Sequence, residues 1–172
     1  MSQFKVIAFD VDGTVATGNV WQKVHALAGV TPEEDNAWFT KYYNQELSFE
    51  DWAVLINAKY KASGVHRKEF EEVMNTITLI DGAKETVSAL KQKYTACLIS
   101  SGIDYYVAKV AEMLAIDVYY ANYFLEYDAQ DIVQSVGFKG HEEQTKVLAL
   151  QEICKKNHIY GNLFQIKSFS KN

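Results

Sequence analysis

The sequence predicts an α/β fold: a parallel sheet covered by helices on both faces and interrupted early by a block of helices. Two near-continuous apolar runs, Phe4 to Phe9 and Thr95 to Ile99, are what strands buried on both faces require. Helical spacing follows each run, and the stretch from Val20 to about Ile80 carries helical periodicity throughout, so it reads as an insertion into the sheet domain.

Taken in order, Phe4 to Phe9 reads F-K-V-I-A-F and stops at Asp10-Val11-Asp12-Gly13-Thr14, where turn-forming residues end a strand. Apolar residues then fall at Val20, Val24 and Leu27; at Trp38, Phe39 and Tyr42; at Trp52, Leu55 and Ile56; and at Phe70, Val73, Met74 and Ile77, which predicts four helices. Two helix starts carry capping signals. Thr31-Pro32-Glu33-Glu34 sets Pro at the first helical position and Glu three after Thr, and Ser48-Phe49-Glu50-Asp51 sets acids in a first turn. After Asp81-Gly82 come a helix with Ala83, Val87 and Leu90 on one face, the Thr95 to Ile99 strand, a turn at Ser100-Ser101-Gly102, and a helix with Ile103, Val107, Val110 and Leu114. Asp128-Ala129-Gln130-Asp131 marks a hairpin between Asp117 and Phe138, and Gln144 to Lys156 returns to a helix carrying Val147, Leu148, Leu150 and Ile153. The division that follows is a sheet domain at 1–17 and 81–172, with the helical insertion at 18–80.

With 172 residues, 48% of them apolar, and a net charge of -5, the chain has the composition of an ordinary globular protein large enough to bury a core without disulfides. Arg67 is the only arginine among seventeen basic residues, which argues against a nucleic-acid reader. No run of about eighteen apolar residues occurs and no signal-peptide pattern opens the chain, so a cytoplasmic protein with no membrane partner is expected. Cys97 and Cys154 lack metal-ligand spacing and read as buried thiols. The histidines His25, His66, His141 and His158 show no ligand pairing and read as surface or structural groups.

The chemistry concentrates after the first strand. If the chain stays extended, Asp10 and Asp12 project to the same side about 6 to 7 Å apart at the backbone. They stand at the carboxyl end of a strand, where open α/β sheets bind ligands. Two acids held together push their pKa values apart, so one can act ionised while the other carries a proton. Gly13 permits a tight turn beside them. A plain Asp- and Gly-rich turn after a strand satisfies the same local pattern.

The segment Ala8-Phe9-Asp10-Val11-Asp12-Gly13-Thr14-Val15 resembles the first motif of the haloacid dehalogenase superfamily of phosphatases. Leu98-Ile99-Ser100-Ser101-Gly102 is similar to the second motif, and Lys146 within Glu143-Gln144-Thr145-Lys146-Val147-Leu148 to the third. The insertion is similar to the cap of the phosphoserine-phosphatase-like branch, and Leu79 to Thr86 resembles its re-entry into the core. The resemblance implies a three-layer Rossmann-like core with a small helical cap and a phosphatase acting on a small-molecule phosphomonoester. It makes Asp10 the nucleophile that forms an aspartyl-phosphate, and Asp12 the general acid and base. Ser100, Ser101, Gly102 and Lys146 would bind the phosphoryl oxygens. Mg²⁺ is the implied cofactor, held by the Asp10 carboxylate and the Asp12 backbone carbonyl.

Two departures go with the resemblance. The fourth motif, a strand ending in G-D-x-x-x-D or D-D, is expected about two dozen residues after the Lys146 helix, yet no acid follows Glu152 and Leu163 to Ile166 would form that strand without one. This keeps a second reading open, a truncated, frameshifted or diverged remnant that holds the fold without turnover. A receiver-like phospho-acceptor domain is a third, disfavoured by the D-x-D-G-T order and the long insertion. The positions aligned with the branch's recognition Glu and Arg hold Asn19 and Val54, which argues against phosphoserine itself. Trp21, Trp38, Tyr42, Tyr43 and Trp52 read either as core or as an entrance lining.

Overall fold

A computed structural model describes residues 5–140 and 142–156. Its elements run β1 (Val6–Phe9), α1 (Val20–Leu27), α2 (Pro32–Tyr43), α3 (Phe49–Ser63), α4 (Arg67–Met74), α5 (Ala83–Lys91), β2 (Thr95–Ile103), α6 (Asp104–Met113), β3 (Val118–Tyr127), β4 (Val133–Phe138) and α7 (Glu142–Lys156). The four strands form one sheet in the order β1-β2-β3-β4. β1 and β3 both run parallel to β2, with Phe9 opposite Leu98 and Ser100 opposite Ala121. The expected Leu163 to Ile166 strand lies outside the described residues.

The chain divides into two compact units. The first holds the described residues up to Asn19, Ile77–Tyr123 and those from Phe138 onward. Here β2 is the central buried strand, and its alternation decides what covers each face. Cys97 and Ile99 point to one face, where Ala149, Leu150, Ile153 and Cys154 of α7 pack on them. Leu98 and Ser100 point to the other, and both are buried as well. A strand apolar on both sides therefore marks a sheet sandwiched between helices, the α/β class the sequence predicts. Both thiols are buried, and burial pushes Cys97 up to about 12, so it packs as an inert apolar group.

The segments that leave and re-enter this unit are tied together. Ala16 bridges Leu79 antiparallel, Thr17 N–H donates to the Thr78 carbonyl at 2.8 Å, and Ile80 N–H donates to the Val15 carbonyl at 3.0 Å.

The second unit holds Val20–Thr76 with Phe124–Gly137. The four expected helices are present, and both capping signals act as read. Thr31 and Glu34 form a reciprocal capping box, and the Ser48 hydroxyl accepts the Asp51 N–H. Val20, Val24, Tyr60 and Phe70 form the buried centre, with Tyr60 stacked on Phe70 at 5.8 Å. His25 is structural: it is buried, and its Nδ1 lies 2.8 Å from the Tyr60 hydroxyl.

Two expectations are corrected, and one open reading narrows. Ser100-Ser101-Gly102 is no turn; it belongs to β2, which runs on to Ile103 through a register shift against β3 and passes straight into α6. The tip of the hairpin, assigned from sequence to the sheet domain, packs with the helices: Val136 N–H donates to Asn57 Oδ1 at 2.7 Å and Val133 N–H to the Val65 carbonyl. Helix α2 buries no residue completely. Its aromatics meet those of α3 instead, with Tyr42 5.3 Å and Phe39 6.2 Å from Trp52, so helical spacing here marks a partly exposed aromatic cluster.

Candidate active site

Asp10 follows β1 directly, and Val11 beside it is wholly buried. Asp10 and Asp12, on either side of this anchor, both stay half-buried. The Asp10 carboxylate accepts the Val11 N–H at 2.9 Å through Oδ1. Beyond Asp12 the chain closes on itself: the Thr14, Val15 and Ala16 N–H groups all lie within 3.1 Å of the Val11 carbonyl. That closure needs Gly13 at a φ of +68°, a conformation glycine adopts without steric cost.

β1 pairs in parallel with β2, so the end of β2 reaches the same carboxyl edge of the sheet. Ser100 is buried there, and its hydroxyl accepts the Gly102 N–H at 2.9 Å. No side chain fits easily at 102, since a Cβ would sit 3.1 Å from Ser100 Oγ and 3.3 Å from the Tyr106 ring. Ser101 is half-buried beside them.

Lys146 comes from α7, which the Ala149, Leu150, Ile153 and Cys154 face fixes against β2. Its Nζ lies 3.0 Å from Asp10 Oδ2, with the side chains 27% and 17% exposed. A partly desolvated ion pair of this kind is stronger than a surface one, because the surroundings screen it less. Asp12 has a partner the sequence reading passes over. The Tyr106 hydroxyl on α6 donates to Asp12 Oδ1 at 3.0 Å. Burial, with the Asp12 charge beside it, pushes Tyr106 above its ordinary range, so it stays a donor. Of the six residues singled out in the sequence, direct contacts thus join Asp10 to Lys146 and Ser100 to Gly102, while Asp12 is tied to Tyr106.

Among the described residues, no group of three or more His, Cys, Asp and Glu side chains is gathered to hold a metal. The two aspartates offer only hard oxygen donors, which suits a small dication that keeps several waters and completes its shell with substrate phosphate. No helix among the described residues is long and apolar enough to cross a membrane.

The haloacid dehalogenase-like hydrolase family matches residues 4–159. The chain belongs to that family. A haloacid dehalogenase-like core accounts for the α/β, Rossmann-like architecture, and solved structures agree: a phosphoserine phosphatase described as a phospho-aspartyl intermediate analogue superposes with a TM-score of 0.75 at 27% identity, covering 92% of this chain and 75% of that one. The phosphoserine phosphatase of Methanocaldococcus jannaschii is 29% identical over 153 residues, covering 88% of this chain and 70% of that protein. That of Archaeoglobus fulgidus is 24% identical over 156 residues, covering 90% of this chain, which spans only 44% of that protein.

Proposed function

We propose that this haloacid dehalogenase-like hydrolase is a phosphatase that cleaves a small phosphomonoester, a cytoplasmic metabolite, through an aspartyl-phosphate on Asp10. The observation that carries the reading is the Lys146 Nζ 3.0 Å from Asp10 Oδ2. It sets a fixed cation beside the carboxylate that immediately follows the first strand, where the phosphoryl oxygens of a bound ester would gather their charge.

An Asp10 oxygen attacks phosphorus, and the bond from phosphorus to the ester oxygen breaks. Asp12 gives that oxygen its proton, so an alcohol leaves rather than an alkoxide. Water then attacks the phosphorus of the aspartyl-phosphate, Asp12 takes its proton, and inorganic phosphate departs with Asp10 restored. The Ser100 hydroxyl, the backbone N–H of Ser101 and Lys146 would hold the phosphoryl oxygens throughout, while the Gly102 N–H, already given to Ser100 Oγ, would orient that hydroxyl rather than bind phosphate as the resemblance implies. The Asp10 carboxylate and the Asp12 backbone carbonyl would hold Mg²⁺, which supplies charge neutralisation at the phosphoryl group. The family resemblance supports these roles, and on the same ground the helical unit is assigned as the cap.

Hydrolysis of 4-nitrophenyl phosphate, with and without Mg²⁺, by the chain and by Asp10→Asn tests the reading. Metal-dependent turnover that vanishes in the variant upholds it. Equal rates in both favour the alternative, a fold of this family without turnover.

A further inference from the structure

We propose that Tyr106 is a positioning residue for proton transfer: its hydroxyl holds one oxygen of Asp12 and so leaves the other aimed at the ester oxygen that departs. The inference rests on the phosphatase reading and deepens it.

A carboxylate on a short side chain can rotate about two bonds, and a proton donor works only within hydrogen-bond reach of the atom it protonates. Fixing Oδ1 therefore fixes where Oδ2 points. Tyr106 can do this because its own ring is immobilised. It is 1% exposed, and it fills the space that a side chain at 102 would need, since a Cβ there would lie 3.3 Å from the ring. The ring thus packs against the end of β2 that carries Ser100 and Gly102, while its hydroxyl reaches Asp12 at 3.0 Å. One rigid side chain ties the proton donor to the segment assigned to the phosphoryl oxygens. The direction of the hydrogen bond follows from the groups: the phenol carries an O–H to give and a carboxylate oxygen accepts, so Tyr106 donates to Asp12 Oδ1.

The hydroxyl matters in proportion to how much the leaving group needs a proton. Nitrophenol leaves readily as its anion, whereas phenol is a poorer leaving group and depends on the acid. The test measures kcat/KM, which reports the steps through departure of the alcohol, for phenyl phosphate and 4-nitrophenyl phosphate in the chain, in Tyr106→Phe and in Tyr106→Phe built on Asp12→Asn. Val107→Ala, which thins the packing next to Gly102 without touching the hydroxyl, serves as the control for a structural effect. Tyr106→Phe is expected to lower kcat/KM about tenfold on phenyl phosphate and less than about twofold on 4-nitrophenyl phosphate, and to add no further loss in the Asp12→Asn background. Val107→Ala is expected to change both substrates by the same factor. Equal losses on the two substrates in Tyr106→Phe, or no loss on either, overturn the inference. Absence of Asp10-dependent turnover in the unmodified chain sinks the phosphatase reading and the inference with it, an outcome distinct from equal losses in a working enzyme.

Discussion

Replacing Lys146 by methionine keeps an unbranched side chain of similar length while removing the charge that faces Asp10. At 3.0 Å, opposite unit charges attract by about 5.5 kcal/mol at an effective dielectric of about 20. Desolvation and side-chain ordering take back much of that, since Lys146 is 27% and Asp10 17% exposed, and a charge-assisted hydrogen bond nets about 1.5–3 kcal/mol. The phosphoryl group brings further negative charge to the same spot, so the loss in the transition state is at least as large as in the free enzyme. At one factor of ten per 1.36 kcal/mol, kcat/KM on an aryl phosphate should fall by about 10- to 100-fold. Steady-state kinetics of Lys146→Met, with a thermal melt to show that the fold is intact, reads this directly. A fall of less than about threefold in a normally melting variant would refute the assignment of Lys146 to the phosphoryl group.

Further outcomes follow from the same contacts. Ser100→Ala orphans the buried Gly102 N–H that the hydroxyl accepts at 2.9 Å, and should cost about 1–3 kcal/mol of stability along with a loss of turnover, read by denaturant unfolding and kinetics. Gly13→Ala meets no atom within 4 Å, so its cost is backbone strain at φ +68° alone, about 1–2 kcal/mol, and Gly13→Asn should cost less because Asn tolerates that region better. Burial holds His25 below its ordinary value of 6.5 in spite of Asp35 at 3.8 Å, so the folded state keeps it neutral where the unfolded chain takes a proton. Stability from this group is therefore present above 6.5 and lost as pH falls through that value toward the folded one; the unfolding free energy of the chain should drop more than that of His25→Gln between about pH 8 and about pH 5, and an equal drop would contradict it.

What was legible in the sequence depended on how local its signal was. β1, the caps at Thr31 and Ser48, and the D-x-D-G loop are written in adjacent residues, and each forms where read. Ser100-Ser101-Gly102 carries turn-forming residues, yet Ser100 and Ile103 pair with β3 on either side of Ser101-Gly102 and carry the strand through, a long-range contact that local propensity does not encode. Tyr106 sits among the apolar positions of α6, and its acceptor lies 94 residues away at Asp12, so nothing near it in the chain marks its hydroxyl. The α2 aromatics stay ambiguous in the sequence for the converse reason: helical spacing records which side chains share a face, not whether a core lies opposite it.

The central claim is that Asp10 carries the phosphoryl group. Acid quenching of the chain during turnover of a phosphate-labelled aryl ester, followed by mapping of the label, tests it most directly. The account predicts label on Asp10 that is chased by unlabelled ester, and none in Asp10→Asn. Steady hydrolysis with the label on another residue, or persisting undiminished in Asp10→Asn, would contradict it.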